Sequence, residues 1–113
     1  MCSRLTLNEI TNRVVQAARN SLGDKLDRVI LYGSYARGDY DNDSDIDIMV
    51  LANIPIEDRS KEYDCIWERT GDLNLEYDTV VSVSVADCKT FYQYAEDLPF
   101  YMNVMKDGVL LNG

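Results

Sequence analysis

The sequence predicts an α/β domain built around a small sheet. Three observations carry that reading. Apolar residues recur at helical spacing near the start of the chain, two short apolar runs flank a polar, glycine-containing stretch, and a strict two-residue alternation follows further on. The 113 residues amount to one domain, taken as spanning 1–113. Hydrophobic residues make up 46% and charged residues 27%, so the chain is neither a disordered tail nor a fibre.

Leu7, Ile10, Val14, Val15, Ala18 and Leu22 recur at three- and four-residue spacing, which predicts a helix over 7–22. Thr6 with Glu9 fits a capping box, and Gly23 fits the stop. Residues 28–32 (RVILY), ended by Gly33, read as a buried strand. Residues 45–52 (DIDIMVLA) read as a second strand, with Pro55 ending that stretch. A helix is expected over 56–69, with Tyr63, Ile66 and Trp67 on one side and Trp67 in the core. Residues 77–85 (YDTVVSVSV) alternate as a third strand, and 87–95 read as a helix with Asp87 as its N-cap. Pro99 interrupts the chain, 100–105 form a short apolar turn or helix, and Gly108 leads into a final strand over 109–111. No linker, internal repeat or low-complexity segment is present.

Charge and composition remove several classes of function. Eleven Lys and Arg stand against twenty Asp and Glu, a formal charge of −9. That balance disfavours sequence-independent binding to nucleic acid or anionic lipid, where a basic footprint supplies most of the affinity, and it suits binding of cations. The chain has no His, so Ser-His-Asp and Cys-His catalysis and His-ligated zinc are excluded. Cys2, Cys65 and Cys88 are far apart, odd in number and form no C-x-x-C, which fits a reduced cytoplasm. No signal-peptide-like stretch or membrane-length apolar run occurs, and the expected setting is soluble and cytoplasmic, with no membrane partner.

The informative stretch is GSYARGDYDNDSDID, residues 33–47. Gly33 permits a positive φ and close approach of backbone to a ligand, and Ser34 can hydrogen-bond a phosphate oxygen. A helical turn starting at Ser34 would add free backbone N–H groups. Arg37 adds a fixed positive charge. Asp45 and Asp47, at i and i+2 of a strand, point to one face about 7 Å apart at Cα. Two carboxylates at that spacing are poor core material. They suit a divalent cation, which Mg²⁺-type sites hold with one or two carboxylates plus substrate phosphates. Ile46, Ile48 and Val50 point the other way, into the core. In the third strand, Asp78, Ser82 and Ser84 share a face opposite Val81, Val83 and Val85, which makes Asp78 the candidate third carboxylate and general base, with Glu76 in reserve. Three carboxylates would suit two-metal phosphoryl or nucleotidyl transfer.

Plainer readings account for less of the pattern. An EF-hand beginning at Asp39 would need Gly at position six and Glu at position twelve, where this chain has Ser44 and Val50. Asp39, Asp41 and Asp43 read as a solvated loop. Asp45 and Asp47 as a solvated strand edge would leave Gly33 and Ser34 at the right spacing by chance. Of the eight tyrosines, Tyr92, Tyr94 and Tyr101 fit a core rim or a partner surface.

A strand ending in Gly-Ser, ten intervening residues, then Asp-x-Asp resembles the signature of the polymerase-β-type nucleotidyltransferases. The extended form GSYARGDYDNDSDIDIMV looks like their smallest branch, the minimal nucleotidyltransferases. The resemblance is specific over 29–51 and looser over the third strand and the ending LPFYMNVMKDGVLL. It implies the polymerase-β-type fold, a small mixed sheet flanked by helices. It implies metal-dependent transfer of NMP, with ATP the expected donor and Mg²⁺ (or Mn²⁺) the cofactor. Carried over, Gly33 and Ser34 hold the nucleotide, Asp45, Asp47 and Asp78 are catalytic and metal-binding, and Arg37 and Ser44 match recurrent positions near the nucleotide. It also implies a partner, a HEPN-type ribonuclease toxin whose tyrosine accepts AMP from its antitoxin. The alternatives are transfer to a small-molecule hydroxyl and a non-catalytic toxin-binding module. Nucleic-acid polymerisation fits poorly with the acidic charge.

Overall fold

The two central apolar runs pair with each other. In the computed structural model, which describes residues 4–41, 44–77 and 79–112, Leu26–Tyr32 forms β1 and Ile46–Ala52 forms β2. They run antiparallel, with Val29 opposite Val50, Leu31 opposite Ile48 and Tyr32 opposite Asp47. β3 (Val81–Asp87) adds parallel to β2, and the short β4 (Val109–Leu110) adds antiparallel to β1. The sheet is therefore mixed, in the order β3-β2-β1-β4.

A parallel pair needs a crossover connection, and the helix over residues 59–70 supplies it. That helix is α3 (Arg59–Thr70), which packs with α1 (Arg4–Leu22) over one face of the sheet. There Ile10, Val14 and Ile66 meet Val29, Leu31, Ile48 and Val50. α5 (Cys88–Tyr94) and α6 (Pro99–Asp107) cover the other face, where Phe91 and Val104 meet Ile30, Met49 and Leu51. Asp87 caps α5 as the sequence predicts, its carboxylate accepting a hydrogen bond from the Thr90 N–H at 3.0 Å. Pro99 opens α6 at its first turn, where its missing N–H costs nothing.

Four expectations are corrected. α1 is already helical at Arg4, so Thr6 lies inside the helix and does not head a capping box. Arg4 and Leu5 are good helix formers and carry the helix past the expected start. The second correction concerns Trp67, which is 49% exposed and outside the core, as is Tyr63. The buried stripe of α3 is Glu62, Ile66 and Thr70, four residues apart, and Trp67 lies next to that stripe with its ring against Gly71. Trp67→Ala is accordingly expected to cost less than about 1 kcal/mol in denaturant unfolding, well short of the ~3–5 kcal/mol of a core Trp. A loss in the core range would return the ring to the core.

The third correction is the start of β3. Residues 77, 79 and 80 are not strand. Leu73–Glu76 forms a short helical turn (α4) that Tyr77 ends, and the Asn74 side chain accepts the Val81 N–H at 2.9 Å. The ladder begins where Val81 meets Ile46. A shared face for Asp78, Ser82 and Ser84 needs a strand reaching back to Tyr77, which β3 does not do, and Asp78 itself lies outside the described residues. Fourth, Glu76 is held by Arg13 of α1, which also pairs with Asp72 at 3.2 Å. That fixes Glu76 on the α1 side of the sheet, away from the reserve role.

Where β1 meets α5, the Tyr92 hydroxyl donates to Asp27 at 2.6 Å. Burial first, and then the Asp27 carboxylate, push the Tyr92 phenol up to about 12 and the Cys88 thiol up to about 12. Both groups favour the fold while neutral. Their contribution is complete below their ordinary values of 9.0 (thiol) and 10.0 (phenol) and is lost as pH rises toward 12. Thermal melts from pH 8 upward should show Tm falling across that window, with a shallower fall in Tyr92→Phe. Parallel profiles for the two proteins would contradict this account. Cys65 and Cys88 are free thiols, and Cys2 lies outside the described residues. Among the described residues no helix is long and apolar enough to cross a membrane.

Candidate functional site

β1 ends at Tyr32, and the chain turns at Gly33 with φ +76° and ψ −156°. That backbone is one that side chains rarely adopt, and space forbids a side chain as well. A Cβ on Gly33 would overlap the Asp47 carboxylate, lying 3.3 Å from its Cγ. The two halves of the motif, eleven or more residues apart in sequence, therefore touch. The antiparallel register brings this about by setting Tyr32 opposite Asp47.

Ser34 opens a single helical turn, α2 (Ser34–Arg37). The N–H groups of Ala36 and Arg37 both donate to the Gly33 carbonyl at 3.1 Å, so these two amides are engaged within the turn. Gly38, at φ +87°, closes the turn by donating to the Ser34 carbonyl at 2.9 Å. Arg37 is exposed and pairs with Asp39 through Nε at 3.1 Å. Ser44 has a local structural task. Its hydroxyl accepts the Asp41 N–H at 2.9 Å and lies 3.2 Å from the Asp41 carboxylate, fastening the loop just before β2.

Asp45 is exposed and stands immediately before β2, while Asp47 is half-buried within it. The Asp47 carboxyl is pushed above the usual carboxylate range, by burial first and then by the charge of Asp45, with Arg37 partly offsetting both. A divalent cation between the two carboxylates would relieve the repulsion and the desolvation together, so this donor pair fits a hard cation completed by phosphate oxygens. Among the described residues no cluster of three or more His, Cys, Asp or Glu side chains could hold a metal. Opposite Asp47 on β3 stands Ser82, with Ser84 next along that face.

Sequence reasoning missed Tyr32. Its phenol is raised by burial first, with the Ser84 side chain pulling the other way and Asp47 adding to the rise. Its ring meets Phe100 edge-on at 5.6 Å. The only signal in the sequence was its place immediately before Gly33, at the end of an apolar run.

The nucleotidyltransferase domain family model matches residues 13–111. The chain belongs to the nucleotidyltransferase domain family. This nucleotidyltransferase is 28% identical over 97 residues (86% of this chain, 89% of the relative) to a Methanocaldococcus jannaschii protein named "Putative protein adenylyltransferase MJ0604". A second relative from that organism, "Putative protein adenylyltransferase MJ0141", is 48% identical over 62 residues, 54% of this chain and 60% of the relative's length. In fold, the nucleotidyltransferase resembles a crystal structure described as "a putative nucleotidyltransferase from Sulfolobus solfataricus" (TM-score 0.58, 24% identity, 91% of this chain and 77% of that one). It also resembles a chain of a toxin–antitoxin complex with AMP-PNP (TM-score 0.56, 25% identity, 91% and 73%). The polymerase-β-type mixed sheet expected from the resemblance is the sheet observed.

Proposed function

We propose that this nucleotidyltransferase moves AMP from ATP onto a hydroxyl of a partner protein, a tyrosine of a HEPN-type toxin, and so acts as an antitoxin. The observation that carries this reading is the contact between Gly33 and the Asp47 carboxylate, which sets the turn proposed to approach phosphate beside the pair proposed to hold the cation. The names of the adenylyltransferase relatives and the AMP-PNP in the toxin–antitoxin complex support the choice of nucleotide and of partner class.

In this reading Gly33 lets the triphosphate approach the backbone, and the Ser34 hydroxyl donates to a phosphate oxygen. Arg37 lends positive charge at the rim, and Ser44 keeps the loop that carries Asp45 in place. Asp45 and Asp47 would hold Mg²⁺ or Mn²⁺, which when bound neutralises the triphosphate and polarises the reacting phosphate. The acceptor oxygen forms a bond to the α-phosphorus as the bond to the β-phosphate oxygen breaks, and pyrophosphate leaves. The hydroxyl proton passes to a carboxylate, for which Asp78 remains the proposed base.

A second reading draws on the likeness to a chain of a toxin–antitoxin complex, which a domain that protects its host by binding the toxin without transfer satisfies equally. Co-expression with a toxin separates the two. Asp45→Asn with Asp47→Asn is expected to abolish both adenylylation, read by intact mass of the toxin, and neutralisation. Full neutralisation by the double variant would leave only the binding module standing.

A further inference from the structure

A cavity of about 340 Å³ opens on the same sheet face as Asp47. Met49 and Ser84 form its floor, Leu98, Phe100 and Tyr101 its wall at the start of α6, and Arg59 its rim at the start of α3. Met49 and Ser84 are the next rung of the ladder after Asp47 and Ser82, one strand repeat of about 7 Å away. Tyr32 joins the two places, standing opposite Asp47 with its phenol against Ser84 and its ring edge-on to Phe100 at 5.6 Å. Phe100 and Leu98 stay 50% and 45% exposed, an apolar wall left open among the described residues.

We propose that this cavity is the subsite for the nucleobase of the donor nucleotide, a deepening that rests on the nucleotide reading of the Asp45–Asp47 site. The size lies at the lower end of small-molecule sites, and the lining is mostly apolar with a few polar groups, as such sites are. Phe100 supplies a ring face or edge for a planar heterocycle. Ser84 and Arg59 supply a hydroxyl and a guanidinium for its polar edge. Phe100 of the wall meets Tyr32, which stands opposite Asp47, so a ligand whose phosphates lie at Gly33 and Asp47 can lay its base in the recess through the sugar. A polypeptide acceptor would call for an extended surface, whereas this feature is a recess.

The test compares Mg·ATP with Mg·tripolyphosphate, which has the phosphates and no base, by calorimetric titration of the full chain. Phe100→Ala should weaken Mg·ATP by about ten-fold or more, the scale of losing an aromatic partner for a base, and leave Mg·tripolyphosphate within about two-fold of wild type. Phe100→Tyr should restore Mg·ATP affinity, and because residue 100 is half-exposed both variants should keep the wild-type melting temperature. Unchanged Mg·ATP affinity in Phe100→Ala overturns the subsite while leaving the phosphate and cation site intact. Equal weakening of both ligands overturns it too, since the effect would then run through Tyr32 and Asp47. If neither ligand binds wild type, the nucleotide reading itself fails and the subsite with it.

Discussion

Asp47→Asn should raise the melting temperature of the metal-free protein at pH 7 while lowering nucleotidyl transfer at least about 100-fold, the scale of losing one electrostatic group aimed at the reacting phosphate. The two effects share one cause. Burial first, and then Asp45, push the Asp47 carboxyl above its ordinary 3.8. An acid raised in the fold stabilises it fully below its ordinary value, and that contribution is lost as pH rises through the raised value. At neutral pH the ionised carboxylate is therefore a cost, and Asn carries no charge to bury. The gap in Tm should close below pH 3.8, where both proteins are neutral at this position. Mg²⁺ should narrow the gap from the other side, by stabilising wild type alone. A variant less stable than wild type at pH 7 would show that the carboxylate is a net structural asset and would remove the electrostatic argument for a bound cation.

Gly33→Ala is expected to damage fold and function together. At φ +76° a side chain costs ~1–3 kcal/mol in backbone strain, a fall in Tm of about 5–15 °C for a domain of this size. The new Cβ also collides with the Asp47 carboxylate and must displace it. A displacement near 1 Å is enough to cost on the order of 100-fold in a positioned reaction. Gly38→Ala is the control. It too has a positive φ, +87°, but no atom lies within 4 Å of its Cβ position. It should lose some stability and keep its transfer activity. Equal loss of activity in both variants would mean that turn flexibility, and not the approach to Asp47, is what matters.

The parts legible in the sequence were those written as local patterns. The spacing of Ile10, Val14, Ala18 and Leu22 placed α1, and the apolar runs before Gly33 and after Asp45 placed the two central strands. Gly33, Ser34, Asp45 and Asp47 could be read as one constellation because the antiparallel pair folds their separation back on itself. Features decided by a partner were not legible. The alternation through Tyr77–Val85 runs on past the point where β2 stops offering hydrogen bonds, so the pattern overshoots the real start of β3 at Val81. Glu62 and Thr70 occupy buried positions that hydropathy assigns to solvent, which turned the expected face of α3 toward Trp67. The pairing of β4 with β1, and the cavity beside Tyr32, come from the packing of α6 and have no local signature.

The two carboxylates of the site differ in how they are mounted. Asp47 sits between two strands, in register with Tyr32 on one side and Ser82 on the other. Asp45 lies just outside the ladder, which the Ile46 N–H enters by donating to Val80, and its loop is fastened by the Ser44–Asp41 turn and by the stacking of Tyr40 on Tyr35. Asp47 is held in a strand hydrogen-bonded to a neighbour on each side, whereas Asp45 is exposed and stands outside the ladder. On the proposed cation role, loading and unloading would ask only the exposed Asp45 side chain to move, with the sheet left closed. Such a clamp would set one fixed jaw against one open to solvent, and so combine accurate placement with ready release.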